Sequence, residues 1–311
     1  RADMWKEKFI KYWKKQDLKK NQILISLNFP FVNGYIDFKK IIKRLNKAGY
    51  FVRSKDFEKE FYQIYEVTKK NFDEFKNLIP YLSEKLKNYE IVVRPHPSER
   101  KETWKKLFNS YKNVYISNSS NFNEDLNSCS LLIHNSCTTA FQATMIKKPV
   151  ISYEKNVSNF DYGEVANKLG LRAHSKEELV KYIIEINKIG NNSNFNSETE
   201  KILNLKIFSP NNDELSSNLI VNAWEKLGLK LKFKKNNINK IKISISIYEF
   251  KENIKKNIYN FFSKNNFSQD YKFRDYKKED LENKISKIKD ILKINKNFNV
   301  RILSKKCYLI E

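Results

Sequence analysis

The chain predicts an α/β fold, a doubly wound parallel sheet, and three observations carry that expectation. Short runs of β-formers recur, among them "IVV" at Ile91–Val93, "SLLIH" ending at His134, and Val150–Tyr153. Between them lie stretches whose apolar residues fall at the three-to-four spacing of amphipathic helices. The runs also end in loop-forming residues: Asn28, Pro30 and Gly34 after the first, Pro95 and Pro97 after the second.

Element by element, Ile23–Leu27 reads as a buried first strand, and Asp37–Ala48 and Phe57–Leu86 read as amphipathic helices. After Ile91–Val93, Glu102–Phe108 looks helical, "NVYIS" at Asn113–Ser117 is a strand, and Asn123–Asn127 is a short helical turn. The strand ending at His134 leads through a polar turn into a helix over Thr139–Ile146 and then the strand Val150–Tyr153. Ser175, followed three residues on by Glu178, has the spacing of a capping box and starts another helix. "GNNSNFNSETE" from Gly190 reads as a surface loop and Leu215–Leu227 as a helix. Leu229–Asn257, rich in Lys and Asn, reads as a linker, a basic membrane-facing surface, or an ordinary solvated helix and strand. The tail is a helix with two short strand-like runs. The expected domains are a linker over 1–20, a Rossmann-like domain over 21–190, a helical Lys/Asn-rich connection over 191–260, and a C-terminal helix with short strands over 261–311.

With 311 residues the chain can bury one sizeable core or two modest ones. Its 60 Lys and Arg against 36 Asp and Glu leave a formal charge of +24. That excess suits nucleic acid, an acidic membrane face or a phosphorylated substrate, and equally suits lysines spread over solvated faces. Cys129, Cys137 and Cys307 form no CxxC pair, which argues against a disulfide framework or structural zinc and fits a reducing, cytoplasmic compartment. No apolar run approaches the roughly 18 residues of a membrane span, so membrane contact is expected to be peripheral, at the inner face of the cytoplasmic membrane. The opening "RADMWKEKF" is neither an initiator Met nor a signal peptide, and suggests a piece of something longer.

Two constellations carry chemistry. In "IVVRPHPSE", Pro95 and Pro97 push Arg94 and His96 into extended backbone, so the imidazole leaves its strand on a rigid stalk. His96 and Ser98 can donate hydrogen bonds to a phosphate oxygen, with Arg94 as a second cation; the plainer reading is a histidine capping a turn. In "LLIHNSCTTAFQA", a strand delivers His134 and Asn135 to a helix start crowded by Ser136, Thr138 and Thr139. Free amides, hydroxyls and the helix dipole suit an anion there, although Ser and Thr are also ordinary caps. No GxGxxG and no GK[ST] is present. His174 reads as a turn histidine and Asp161 as a loop acid, while Glu99 and Glu154 sit near strand ends as lone carboxylates.

"VVRPHPSERKETWKKLF" together with "LLIHNSCTTAFQATMIKKPVISY" resembles the bacterial surface carbohydrate biosynthesis proteins of the GT-B glycosyltransferase class. More distantly it resembles capsule Kdo transferases, bacterial sialyltransferases and CDP-glycerol glycerophosphotransferases. "ILISLNFPFVNGY" is similar to that family's first donor-domain strand and loop, and "YKFRDYKKEDLENKISKI" to "VRILSKKCYLIE" is similar to its ending. The resemblance covers nearly the whole chain and places "RADMW" after an amino-terminal Rossmann domain. It implies a Rossmann-like GT-B C-terminal domain with a helical extension, binding a CMP- or other NDP-linked sugar. His96 would contact the donor phosphate as the catalytic residue, with Ser136, Thr138 and Thr139 as the hydroxyl cradle beside His134 and Asn135. Gln142 stands where many relatives carry a ribose-binding Glu, and an amide accepts more weakly than a carboxylate.

The leading expectation is therefore transfer of a sugar or polyol phosphate to a glycan or lipid-linked acceptor of a bacterial surface polysaccharide, with no metal and no cofactor. The general base is expected in the other half of the protein. A same-fold nucleotide-sugar epimerase and a non-catalytic basic module binding nucleic acid or anionic lipid are the rival readings. No nucleic-acid signature accompanies the charge, so nucleic acid is not the expected partner.

Overall fold

A computed structural model describes residues 21–119, 122–156, 164–189, 197–206, 215–228, 238–262, 277–304 and 307–310. The expected linker over 1–20 and Asp161 lie outside them. The chain divides into two compact units, Arg1–Asp213 and Glu214–Glu311.

The first unit is a six-stranded, all-parallel sheet: β1 (Gln22–Ser26), β2 (Glu90–Arg94), β3 (Val114–Ile116), β4 (Leu131–His134), β5 (Val150–Tyr153) and β6 (Leu171–Ala173), in the order β3-β2-β1-β4-β5-β6. This is the doubly wound α/β architecture that the alternation of runs predicts. β1, β4 and β5 are buried along their whole length, which is why they read as continuous apolar runs and not as alternating ones. The strand order reverses between β1 and β4, so the crevice at their carboxyl ends is the topological switch point where such sheets hold ligands.

The two faces are packed by different chemistry. Ile23, Ile25, Val93, Ile133 and Ile151 meet the bulky Phe75, Leu78 and Leu82 of α4 (Lys55–Lys85) and Trp104 of α5 (Lys101–Phe108). On the opposite face Leu24, Leu132 and Val150 meet Leu126 of α6 (Phe122–Ser128) and the small Ala140 and Ala143 of α7 (Thr139–Met145). Each large apolar side chain so buried contributes roughly 1.5–3 kcal/mol.

Helix boundaries follow local chemistry. Asp37 caps α2 (Phe38–Lys47) by accepting the Lys39 N–H at 2.8 Å, and Ser54 caps α4 by accepting that of Phe57 at 3.1 Å. Half of the capping box forms as its spacing predicts: Ser175 Oγ accepts the Glu178 N–H at 3.0 Å, opening α9 (Lys176–Ile189), while the Glu178 carboxylate takes the N–H of His174 and not that of Ser175. Three short elements escape the sequence pattern, namely α1 (Pro30–Asn33), α3 (Tyr50–Arg53) and β6, because three or four residues are too few to show a period. Another short helix, α8 (Glu164–Asn167), precedes β6.

Of the expected surface loop from Gly190, residues 190–196 lie outside the described ones, and from Ser197 the chain is helical, α10 (Ser197–Lys206); Ser197 and Glu200 have capping-box spacing of their own. In the second unit α11 (Ser216–Lys226) matches its expected helix. From residue 238 the Lys/Asn-rich region is one long helix, α12 (Ile238–Phe262); residues 229–237 lie outside the described ones. The tail forms α13 (Lys278–Leu292) and an antiparallel hairpin of β7 (Val300–Ser304) and β8 (Cys307–Ile310). Among the described residues no helix is long and apolar enough to cross a membrane.

Candidate functional site

Strand register lays a polar row across the carboxyl edge of the sheet. Arg94 pairs with Ser26, Ser26 with His134, His134 with Ser152 and Ser152 with Arg172. Register partners in a parallel sheet point the same way, so these five side chains share the face covered by α6 and α7. Both ends of the row are closed by ion pairs. Arg94 donates to Asp125 at 2.5 Å, Ser117 Oγ at 3.2 Å and the Ser119 carbonyl at 3.0 Å. Arg172 grips Glu154 through two hydrogen bonds, at 3.0 and 2.6 Å. The strand-end carboxylate Glu154 is thus a structural partner, and the Arg94 guanidinium already has its anion inside the protein.

The centre of the row is different. His134 is fully buried, and its Nδ1 accepts the Cys137 N–H at 3.3 Å. Burial pushes this imidazole down to about 3, so the ring is neutral and its proton sits on Nε2. Nε2 and the neighbouring Ser152 Oγ are both buried without a hydrogen-bond partner among the described residues. His134 therefore acts from beneath, as the anchor of the turn that follows it.

That turn is strained and held from two sides. Ser136 sits at φ +46, a left-handed conformation uncommon for a side chain of this type and costing about 1–3 kcal/mol. The Asn167 amide clamps it, accepting the Ser136 N–H at 3.0 Å and donating to Ser136 Oγ at 3.1 Å. Asn28, in the loop after β1, donates to the Ser136 carbonyl at 3.2 Å. Asn135 is buried, Thr139 Oγ1 donates to Ser26 Oγ at 3.2 Å, and Thr138 stands exposed at the helix start with its hydroxyl unengaged among the described residues. Gln142 lies one turn further along α7, half-buried.

The His-Pro loop is built around Glu99. Only 2% exposed, its carboxylate accepts the N–H of Phe29 at 2.9 Å, the N–H of His96 at 3.0 Å, Asn33 Nδ2 at 3.3 Å and Trp104 Nε1 at 2.8 Å. Burial raises the Glu99 carboxyl above its usual range, and these four donors pull against that rise. The His96 ring, half-buried, accepts the Ser98 N–H at Nδ1 at 3.1 Å, which makes Nε2 its donor.

The loop after β1 is the hinge piece between the two motifs, tied to Glu99 through Phe29 and to Ser136 through Asn28. The structure thus joins His96 and Ser98 to the His134–Thr139 turn through Asn28 and Phe29, and draws Arg94 toward β3. Asn28, Asp125 and Asn167 carry much of this geometry and had no local signal; Glu99 was visible only as a lone acid. His174 behaves as a turn histidine, its N–H donated to Glu178 at 2.7 Å.

Gly34 closes the first loop by bridging to Glu99, and a Cβ there would lie 2.0 Å from the Pro30 carbonyl oxygen. Gly34→Ala is expected to cost roughly 2–4 kcal/mol in urea unfolding, because backbone and not a flexible side chain must move.

No protein-family model matches the chain, and no curated protein matches it. Among solved structures it is similar to the wall teichoic acid polymerase TagF soaked with CDPG, at 13% identity and a TM-score of 0.36, over 71% of this chain and 45% of that one. It is also similar to the UDP-GlcNAc 2-epimerase of Methanocaldococcus jannaschii in complex with UDP-GlcNAc and UDP, at 17% identity and a TM-score of 0.33, over 63% of this chain and 50% of that one. The chain spans about half the length of each, and at these values the likeness says nothing about chemistry.

Proposed function

We propose that the first unit binds the phosphate of a nucleotide-activated sugar or polyol and stabilises it as the leaving group during transfer to a surface glycan. One observation carries this reading. His96 stands at the carboxyl edge of β2, next to the switch point, with Nδ1 occupied by a backbone N–H and its proton on Nε2. An imidazole so fixed is a donor that loses little freedom when an anion arrives. The motif resemblance supports the same role.

In the transfer, the bond between the donor's transferred group and its bridging phosphate oxygen breaks, and negative charge gathers on the departing phosphate. His96 Nε2–H donates to that charge from a ring already held through Nδ1, at little cost in reorganisation, and the exposed Thr138 hydroxyl turns to donate beside it. Ser136 and Thr139 shape the turn, and His134 anchors it. Arg94 keeps to Asp125 and braces the β2 end, while Gln142 would meet the ribose, as the motif resemblance implies. As that bond breaks, the acceptor oxygen bonds to the transferred group and gives up its proton.

A thermal-shift series with CMP, CDP, UDP and GDP tests the reading. A ligand present at a hundredfold its Kd adds about 2.7 kcal/mol to the folded state and raises Tm by several degrees. One nucleotide is expected to do so, with His96→Ala weakening it by about tenfold or more, as loss of a charge-assisted hydrogen bond should. A set in which none shifts Tm, or an unchanged shift in His96→Ala, sinks the proposal.

A further inference from the structure

The segment between the loop after β1 and α4 is unlike the rest of the unit. From Phe38 to Lys55 it carries seven Lys and Arg and no acid. Lys55 pairs with Glu58 at 3.0 Å, while Lys39, Lys40, Lys43, Arg44, Lys47 and Arg53 are exposed with no carboxylate partner among the described residues. In α2 the cations alternate with Phe38, Ile41, Ile42 and Leu45, a stripe at helical spacing of which no member is buried.

Beside this basic helix lies an apolar tip. Phe38 stacks on Tyr65 at 3.7 Å and on Phe61 at 5.7 Å between ring centres, and Phe61 continues through Phe57 to Tyr50. That cluster ends in side chains open to solvent: Tyr50 is 51% exposed, Val52 77% and Tyr62 43%. Val52 belongs to the four-residue α3, which follows the left-handed Gly49 and projects its side chain away from the core.

We infer that α2 and α3 form a docking surface for an anionic lipid bilayer. A basic helix with a half-open apolar stripe seats its cations among acidic headgroups, and adjoining tyrosines take the interfacial level where their rings are half wet. Val52 enters the acyl boundary. A duplex would be met by the same charge, but gains nothing from an exposed valine and three tyrosines without a base-reading element. The segment carrying α2 and α3 springs directly from the site, since the Tyr35 N–H donates to the Ser98 carbonyl at 3.2 Å. Docking therefore lays the His96 edge against the membrane surface, within reach of a lipid-borne acceptor. That last consequence rests on the transfer reading; the docking itself does not.

The test is co-sedimentation of the whole chain with vesicles of phosphatidylcholine doped with phosphatidylglycerol, against phosphatidylcholine alone and against duplex DNA. Binding is expected to the doped vesicles only and to weaken with salt. K40Q/K43Q/R44Q/K47Q should bind at least about tenfold more weakly, while K242Q/K251Q in α12 should bind as wild type. On an otherwise unaltered chain, Val52→Trp should shift its emission to the blue on doped vesicles. The inference is overturned if wild type ignores the vesicles, pellets equally with phosphatidylcholine, or binds only the duplex. It is equally overturned if the α12 pair and not the α2 set abolishes binding, or if the Val52→Trp emission stays put. The nucleotide series is independent of all these outcomes, so failure of docking and failure of the donor site are told apart.

Discussion

Glu99→Ala is expected to cost roughly 3–5 kcal/mol and to unfold a large share of the protein at ordinary temperature. Four buried or half-buried donors converge on this one carboxylate, two from the backbone and two from side chains. Removing it leaves buried N–H groups facing nothing, and each carries its own desolvation penalty. Glu99→Gln should fare little better. Oε1 takes Phe29 and His96 while Oε2 takes Asn33 and Trp104, so either orientation of an amide sets its NH2 against two donors. Chemical denaturation measures the loss. A variant of either kind within about 1 kcal/mol of wild type would show that Glu99 does not organise the loops. Where the glutamine variant folds with its NH2 turned toward Phe29 and His96, nucleotide binding should weaken as well, because the His96 N–H then loses its acceptor.

The second large effect is a pH dependence set by His134. In the folded protein burial holds its imidazole down at about 3, and in the unfolded chain it titrates at about the ordinary 6.5. Between those values the unfolded state binds a proton that the folded state refuses. Its contribution is therefore complete above the unfolded value and is lost as pH falls toward the folded one. The slope is about 1.4 kcal/mol per pH unit, or roughly 3 kcal/mol over two units. His134→Asn keeps an acceptor for the Cys137 N–H but cannot titrate, so its stability should fall less steeply with acid by that amount. Urea midpoints for both proteins between pH 7 and pH 4.5 make the comparison, taking the difference in slope to cancel the common carboxylates. Parallel profiles would mean that His134 is not held neutral by burial. Protonation would also set an Nδ1–H against the Cys137 N–H, so the Ser136 turn should loosen in acid before the sheet does.

These two residues show how unevenly the site was written into the chain. His96 was legible because its constraint is local: prolines on either side restrict the backbone whatever the surroundings. The turn after β4 was legible by its cluster of Ser and Thr at a strand end, though not by what holds it. Glu99 looked like a lone acid because its meaning depends on Phe29, seventy positions away, and the clamp of Asn167 on Ser136 spans thirty-one. Asp125 claims Arg94 across a similar gap, turning an expected phosphate-facing cation into one end of an ion pair.

By itself the sequence determined the α/β class, the main strands and helices, the helix cap at Ser175 and the two stretches bearing the site. Each depends on periodicity or on backbone restriction within a few residues. Only the tertiary structure decided the strand order, the polar row from Arg94 to Arg172, the burial of His134 and the bracing of both loops through Asn28 and Phe29. Those come from pairing and desolvation between distant segments. A side chain's ionisation and its partners are properties of the space it ends up in, which no short window of residues contains.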